Sequence, residues 1–187
     1  LADLIRLAPA LRRRDLDAMH AVVERCALLH LQHITTSGDP FEKGSSRPLD
    51  FGHWSAHHLE VLSRHRLQHG EAVAIGLALD CCYAVGIGRL DRADLDPILR
   101  ALATCGFALW DDLLDLRDAH GRRRVLEGLE QFREHLGGEL TLAMPDGLGR
   151  RLDITTFDAE VFEEAAKTLS ARRNELGRLA LDPIPVT

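Results

Sequence analysis

Five of the chain's ten histidines fall between His53 and His69. His53 and His57 are four residues apart, which puts both on one face of a helix. His58 is turned by about 100° from His57 and faces elsewhere. His69 stands just before a second apolar run, and a short connection would fold it back beside His53. Imidazole is neutral near pH 7, and two imidazoles with one carboxylate are a common zinc ligand set that leaves a position open for substrate. HxxxH on a helix is also what structural or surface histidines look like, so spacing alone leaves both readings open.

Helices must position these residues. From Asp15 to Ile34 the apolar residues Leu16, Met19, Val22, Val23, Cys26, Leu29 and Ile34 form one stripe. His30 and His33 continue it, so at least one should point inward. Residues 35–48 carry Gly38, Pro40, Gly44 and Pro48 and should form a loop. A helix is expected from about Asp50 to Arg64. Another starts near His69 and runs through AVAIGLALDCCYAV to a stop at Gly86-Ile87-Gly88. It is apolar on nearly all sides and should be a central buried helix, with Val73, Ile75, Leu77, Leu79 and Cys82 shielded. Asp91 or Asp94 should cap the next helix, which reaches Cys105. Helices near 109–118 and 120–136 follow. Two short alternating runs flank Pro145-Asp146-Gly147 and read as a hairpin. Thr156 should cap a last helix over 158–179. The expected fold is mostly α, a multi-helix domain over 1–187 with one small β-hairpin.

Composition narrows the function. At 187 residues and net charge −6, the chain is a poor match for a nucleic-acid binder that works by phosphate neutralisation. Arg12-Arg13-Arg14 and Arg122-Arg123-Arg124 lie near acids and read as solvated faces. No apolar stretch is long enough to span a bilayer. Cys26, Cys81, Cys82 and Cys105 form no CxxC and read as buried reduced thiols of a cytoplasmic protein. The chain opens at Leu1, inside a helical pattern, and reads as part of a longer protein.

The stretch RPLDFGHWSAHHLE, followed by HGEAVAIG, resembles the signature of 3-dehydroquinate synthase and its sugar phosphate cyclase relatives. FREHLGGELTLAMPDGLGRRLDIT is similar to the closing hairpin of that family. The resemblance spans most of the chain but only the C-terminal, helical half of the family's protein. It implies His53 and His69 as ligands of a divalent metal, zinc or cobalt, and His57 as the substrate-facing histidine that relays protons. It implies Arg47 as the holder of an anionic substrate group, which suits a guanidinium fork. The third metal ligand would be a glutamate on a helix upstream of this chain. NAD would be bound mainly by an N-terminal domain outside it. Asp50 stands where the family has asparagine, His30 where it has a substrate-binding lysine, and Arg133-Glu134 where it has a lysine pair.

The implied chemistry is NAD- and metal-dependent carbocycle formation with phosphate elimination. The three substitutions point to a sugar phosphate other than the usual shikimate-pathway substrate. A homodimer is the expected assembly, with neither nucleic acid nor membrane as partner. The competing readings are an iron-dependent alcohol dehydrogenase, which shares HxxxH and a later His-Gly, and a non-catalytic helical binding protein derived from the fold. The wording GHWSAHHLE and HGEAVAIG favours the cyclases.

Overall fold

The computed structural model describes residues 1–36, 48–135, 138 and 140–181. Arg47 lies outside them, and so does the side chain of Glu134. The described elements are α1 (Ala2–Arg12), α2 (Leu16–Thr36), α3 (His53–Leu62), α4 (His69–Gly86), α5 (Arg92–Thr104), α6 (Glu127–His135), β1 (Leu142–Pro145), β2 (Arg151–Ile154) and α7 (Ala159–Leu181). Short 3₁₀ turns cover Pro48–Asp50, Asp112–Asp115 and Arg124–Leu126. The described residues are therefore mostly helical with one antiparallel hairpin, as the pattern predicts.

Helix α4 is the axis of the core. It packs against α3, α5, α7 and β1, and eleven of its eighteen residues are buried. Ile75, Leu79 and Cys82 are buried as expected, whereas Val73 and Leu77 are half-buried. One end of the core is aromatic. Tyr83 stacks on Phe157 at 4.5 Å between centroids, and Trp54 meets Phe157 and Phe162 edge-on at 5.3 and 5.6 Å. Such rings bury much apolar surface, and offset or edge contacts suit their quadrupoles.

The hairpin pairs Leu142 with Ile154 and Pro145 with Arg151. Met144 on β1 is buried, and β1 lies against α4. Asp91 caps α5, its carboxylate accepting from the Ala93 N–H at 2.9 Å.

Several expectations fail for identifiable reasons. Residues 109–118 hold a 3₁₀ turn and the isolated bridge of Arg117 to Arg123 in place of a helix, because acids there bind backbone locally. Asp111 accepts from the Leu113 N–H, and Asp118 accepts from the N–H groups of His120 and Arg122, an alternative that competes with helix. The cap of α7 is Asp158, not Thr156: its carboxylate accepts from the Glu160 and Val161 N–H groups at 2.8 and 3.2 Å.

The stripe of α2 is not inside. Leu16, Met19, Val23, Cys26 and Leu29 are exposed, and Ala18 is the buried residue of that helix. His30 and His33 are half-buried. Cys81 and Cys82 are buried, but Cys26 is exposed. Burial pushes the Cys82 thiol up to about 12, so it is inert at neutral pH. Arg123 is not on a solvated face. It is buried and donates to Glu163, to Asp115 and to the Leu114 carbonyl.

Candidate metal centre

The site stands where α3 begins beside α4, and two glycines set that approach. Gly52 has φ +78°, and a side chain there would meet the Leu77 backbone nitrogen at 2.8 Å. A Cβ on Gly76 would lie 2.0 Å from the Gly52 carbonyl oxygen. No other residue fits at either position, so backbone nearly touches backbone. The motif glycines of FGH and AIG thus have a physical meaning: they bring His53 down against α4.

Asp80 fastens this junction from below. Its two oxygens accept from the Gly52 N–H at 2.9 Å and the Trp54 indole N–H at 2.8 Å. These residues bracket His53. Burial pushes the Asp80 carboxyl up to about 7, while the bonds from Trp54 and Gly52 pull it the other way. On the far side of α3, Gly128 of α6 sits against the Trp54 carbonyl and the His58 Cβ.

His53, His57 and His69 converge. Ring centroids are 5.5 Å apart for His53 and His57, 5.3 Å for His53 and His69, and 5.9 Å for His57 and His69. His53 is half-buried, whereas His57 and His69 are exposed, so the cluster opens to solvent. His58 faces away as its spacing predicts. It is buried against α6, with Nδ1 3.1 Å from Gln131 Oε1 and Nε2 3.2 Å from Glu127 Oε2.

Hydrogen bonds fix which ring nitrogens are available. His53 Nδ1 lies 3.1 Å from the Phe51 carbonyl oxygen. A carbonyl only accepts, so Nδ1 carries the proton and Nε2 presents its lone pair. His69 Nδ1 lies 3.2 Å from Glu60 Oε2, and a carboxylate imposes the same tautomer. Two imidazoles with Nδ1 tied and Nε2 bare are the donor chemistry a divalent metal requires, so these residues fit one. Glu60 also lies close enough to be a ligand itself: single donor atoms of His57, Glu60 and His69 all fall within 4.8 Å of one another. Glu71 has another task. Its carboxylate accepts from the Gln68 N–H at 2.8 Å and so caps α4.

Glu60 was missed in the sequence. The signal was present: it follows His53 by seven and His57 by three, so it continues their helix face. The remaining expected residues are more distant in role. Asp50 ends the 3₁₀ turn that leads into α3 and is half-buried. His30 is on α2, and the ring contacts of the cluster among the described residues join His53, His57 and His69. A cavity of about 150 Å³ beside His57 is lined by Trp54, Gly128, Gln131 and Phe132. A larger one, about 540 Å³, lies between His33, Phe51 and the hairpin, and the three histidines do not line it.

Comparison with known proteins bears on the family and the fold. The 3-dehydroquinate synthase C-terminal family matches residues 1–122. A 3-dehydroquinate synthase from Aeropyrum pernix is 35% identical over 114 residues, 61% of this chain and 30% of its own length. One from Pelotomaculum thermopropionicum is 29% identical over 132 residues, 70% of this chain and 33% of its own. The structure of 2-epi-5-epi-valiolone synthase from Streptomyces hygroscopicus subsp. jinggangensis, with NAD⁺ and Zn²⁺ bound, superposes with a TM-score of 0.75. It covers 91% of this chain and 47% of that one at 23% identity, so it speaks for the fold. The chain spans about a third of the curated relatives it matches. With the match over residues 1–122, the chain belongs to the 3-dehydroquinate synthase C-terminal family, and it shares its fold with about half of the 2-epi-5-epi-valiolone synthase chain.

Proposed function

We propose that this chain is the metal- and substrate-binding part of an enzyme that closes a carbocycle from a sugar phosphate with loss of phosphate. The observation that carries the reading is the pair of imidazoles, His53 and His69, each with Nδ1 tied and Nε2 bare, converging across α3 and α4. They would hold the divalent metal, zinc or cobalt, with a third ligand from outside this chain. When bound, such a metal would supply Lewis acidity toward a substrate hydroxyl and the carbonyl derived from it, and NAD, held mainly by the other half of the enzyme, would supply the transient oxidation.

The chain's own part is positional and acid–base. Gly52, Gly76 and Asp80 hold the start of α3 so that His53 cannot drift from α4. His57 is exposed and borders both the metal pair and the small cavity lined by Gln131. It would take and return the proton of the reacting hydroxyl, a task suited to imidazole near neutral pH. Arg47 would hold the substrate's anionic group, with Asp50 and His30 as further substrate contacts.

The substrate is inferred to be other than the usual seven-carbon keto acid phosphate. That compound carries a phosphate and a carboxylate, and each needs cationic partners. Here Asp50, His30 and Glu134 replace an amide and two cations of the family pattern. Losing one partner of a buried charge pair costs about 2–5 kcal/mol. The test is phosphate release by the complete enzyme from 3-deoxy-arabino-heptulosonate 7-phosphate, beside sedoheptulose and hexose phosphates. Poor release from the first is expected. Efficient release from it alone would refute the substrate inference.

A further inference from the structure

The metal reading leaves His69 with a difficulty. It is the first residue of α4 and its side chain is 56% exposed. An exposed imidazole at a helix start can rotate and can carry its proton on either nitrogen. His53 has no such freedom, because the Phe51 carbonyl two residues away holds its Nδ1. The partner for His69 comes from the preceding helix. Glu60 Oε2 lies 3.2 Å from His69 Nδ1, and the Glu60 side chain is 19% exposed.

We propose that Glu60 is the positioning residue of this site: its carboxylate accepts the His69 Nδ1 proton, fixes the ring's orientation and leaves Nε2 for the metal. The inference rests on the metal reading above. The arrangement is a carboxylate–imidazole–metal relay, in which the anion also raises the basicity of the ligating nitrogen.

The turn between the helices is built to make this contact. Arg64 and His65 both adopt left-handed conformations, φ 53° and 60°. Neither is glycine, and such conformations cost on the order of 1–3 kcal/mol each unless the surroundings impose them. They end α3 sharply, with the His65 N–H donating to the Glu60 carbonyl at 2.8 Å. The chain reverses within six residues and delivers His69 to the carboxylate of the residue nine positions earlier. The Glu60 backbone thus closes α3 while its side chain receives the start of α4.

Cobalt(II) titration and ¹⁵N-histidine spectra test the assignment on the wild-type protein and on Glu60→Ala and Glu60→Gln. Without metal, the wild-type His69 ring should carry its proton on Nδ1, and Glu60→Ala should shift the proton toward Nε2. Cobalt affinity should fall about 10- to 100-fold in Glu60→Ala. Glu60→Gln keeps an acceptor oxygen and should recover most of that loss, with an unchanged cobalt d–d spectrum. A Nδ1 proton that persists in Glu60→Ala, or cobalt affinity unaltered there, would overturn the proposal. A d–d spectrum that changes in Glu60→Gln would overturn it in favour of direct coordination by Glu60. Cobalt binding indifferent to both His53→Ala and His69→Ala would sink the metal reading itself, whereas the tautomer measurement needs no metal and judges Glu60 separately.

Discussion

Helices α2 and α4 are similar in apolar content yet opposite in fate. Helix α4 is enclosed by α3, α5, α7 and β1, and Leu79 and Ala78 are fully buried. Helix α2 has α1 as its main neighbour, and Leu16, Val23 and Leu31 remain 79%, 65% and 53% exposed. An apolar stripe therefore states a need for burial, and the rest of the fold decides whether the need is met. In α4 it is met where the site is: the helix that carries His69 is the one whose position is most firmly determined. In α2 it is not met among the described residues, and contiguous exposed apolar surface is a mark of contact with other protein.

The sharpest break of this comparison is inside α4. Gly76→Ala would place a methyl 2.0 Å from the Gly52 carbonyl oxygen, and the helix cannot yield without leaving the core. The expected loss is about 3 kcal/mol or more, at or beyond the upper end for overpacking. Leu79→Ala, which opens a cavity instead, should cost about 2–5 kcal/mol. Urea denaturation reads both. A midpoint within error of wild type for Gly76→Ala would mean that the α3–α4 contact is not rigid, and the geometry of His53 would then have no physical anchor.

How far the sequence discloses such things depends on where the deciding partner lies. Helix α4 was legible because an all-round apolar run admits one placement. The hairpin was legible because Pro145-Asp146-Gly147 is local chemistry. The three histidines were legible from spacing and resemblance together. The region 109–118 was not, since Asp111 and Asp118 can either face water on a helix or bind nearby N–H groups, and no pattern of apolar residues discriminates. The α7 cap was misplaced for a related reason: Thr156 and Asp158 are both competent, and the choice rests on two hydrogen bonds. Glu60 was legible in principle, since it continues the helix face of His53 and His57 one turn beyond HxxxH. The exposure of α2 was not legible at all, because it is a property of what surrounds the helix.

Asp80 is buried beneath the α3–α4 junction, and its carboxyl is raised from 3.8 to about 7, chiefly by that burial. Between these values the folded protein holds a proton that the unfolded chain has released. Stability must then fall as pH rises through that window, by about 1.4 kcal/mol per unit where the difference is complete. In Asp80→Asn this slope should vanish. The amide has one acceptor oxygen, so its NH₂ would confront either the Gly52 or the Trp54 N–H, and the variant should be the less stable at pH 4 by about 1–3 kcal/mol. The two stability curves should approach each other as pH rises and cross below pH 7, because the wild type loses more than that deficit over the window. Parallel curves from pH 4 to 7 in urea melts would show that Asp80 titrates alike in both states. Glu163 acts in the opposite sense. The Arg117 guanidinium, with help from Arg123, holds its carboxyl down at about 2. The stability it contributes is present above the ordinary value of 4.5 and is lost as pH falls toward 2.

The smallest expected effect sharpens the contrast most. Val23 is on the open face of α2 and 65% exposed. Valine and serine have nearly equal helix propensity, so Val23→Ser changes little except apolar surface. If that surface is in water, the substitution should move stability by no more than about 0.5 kcal/mol, as exposed sites do. If it is covered, the loss should approach the roughly 1.5–3 kcal/mol that burying such a side chain is worth, with a hydroxyl left to satisfy. Met19→Ser, four residues away on the same face and also exposed, should behave alike, and differ only by a few tenths through helix propensity. The measurement is the urea midpoint at two protein concentrations tenfold apart. A midpoint that rises with concentration in the wild-type protein and not in Val23→Ser would mean that two copies cover each other's α2, since anything that binds only the folded state stabilises it by mass action. A large loss at both concentrations would mean that the chain covers the face itself, and the contrast between α2 and α4 would then be one of degree.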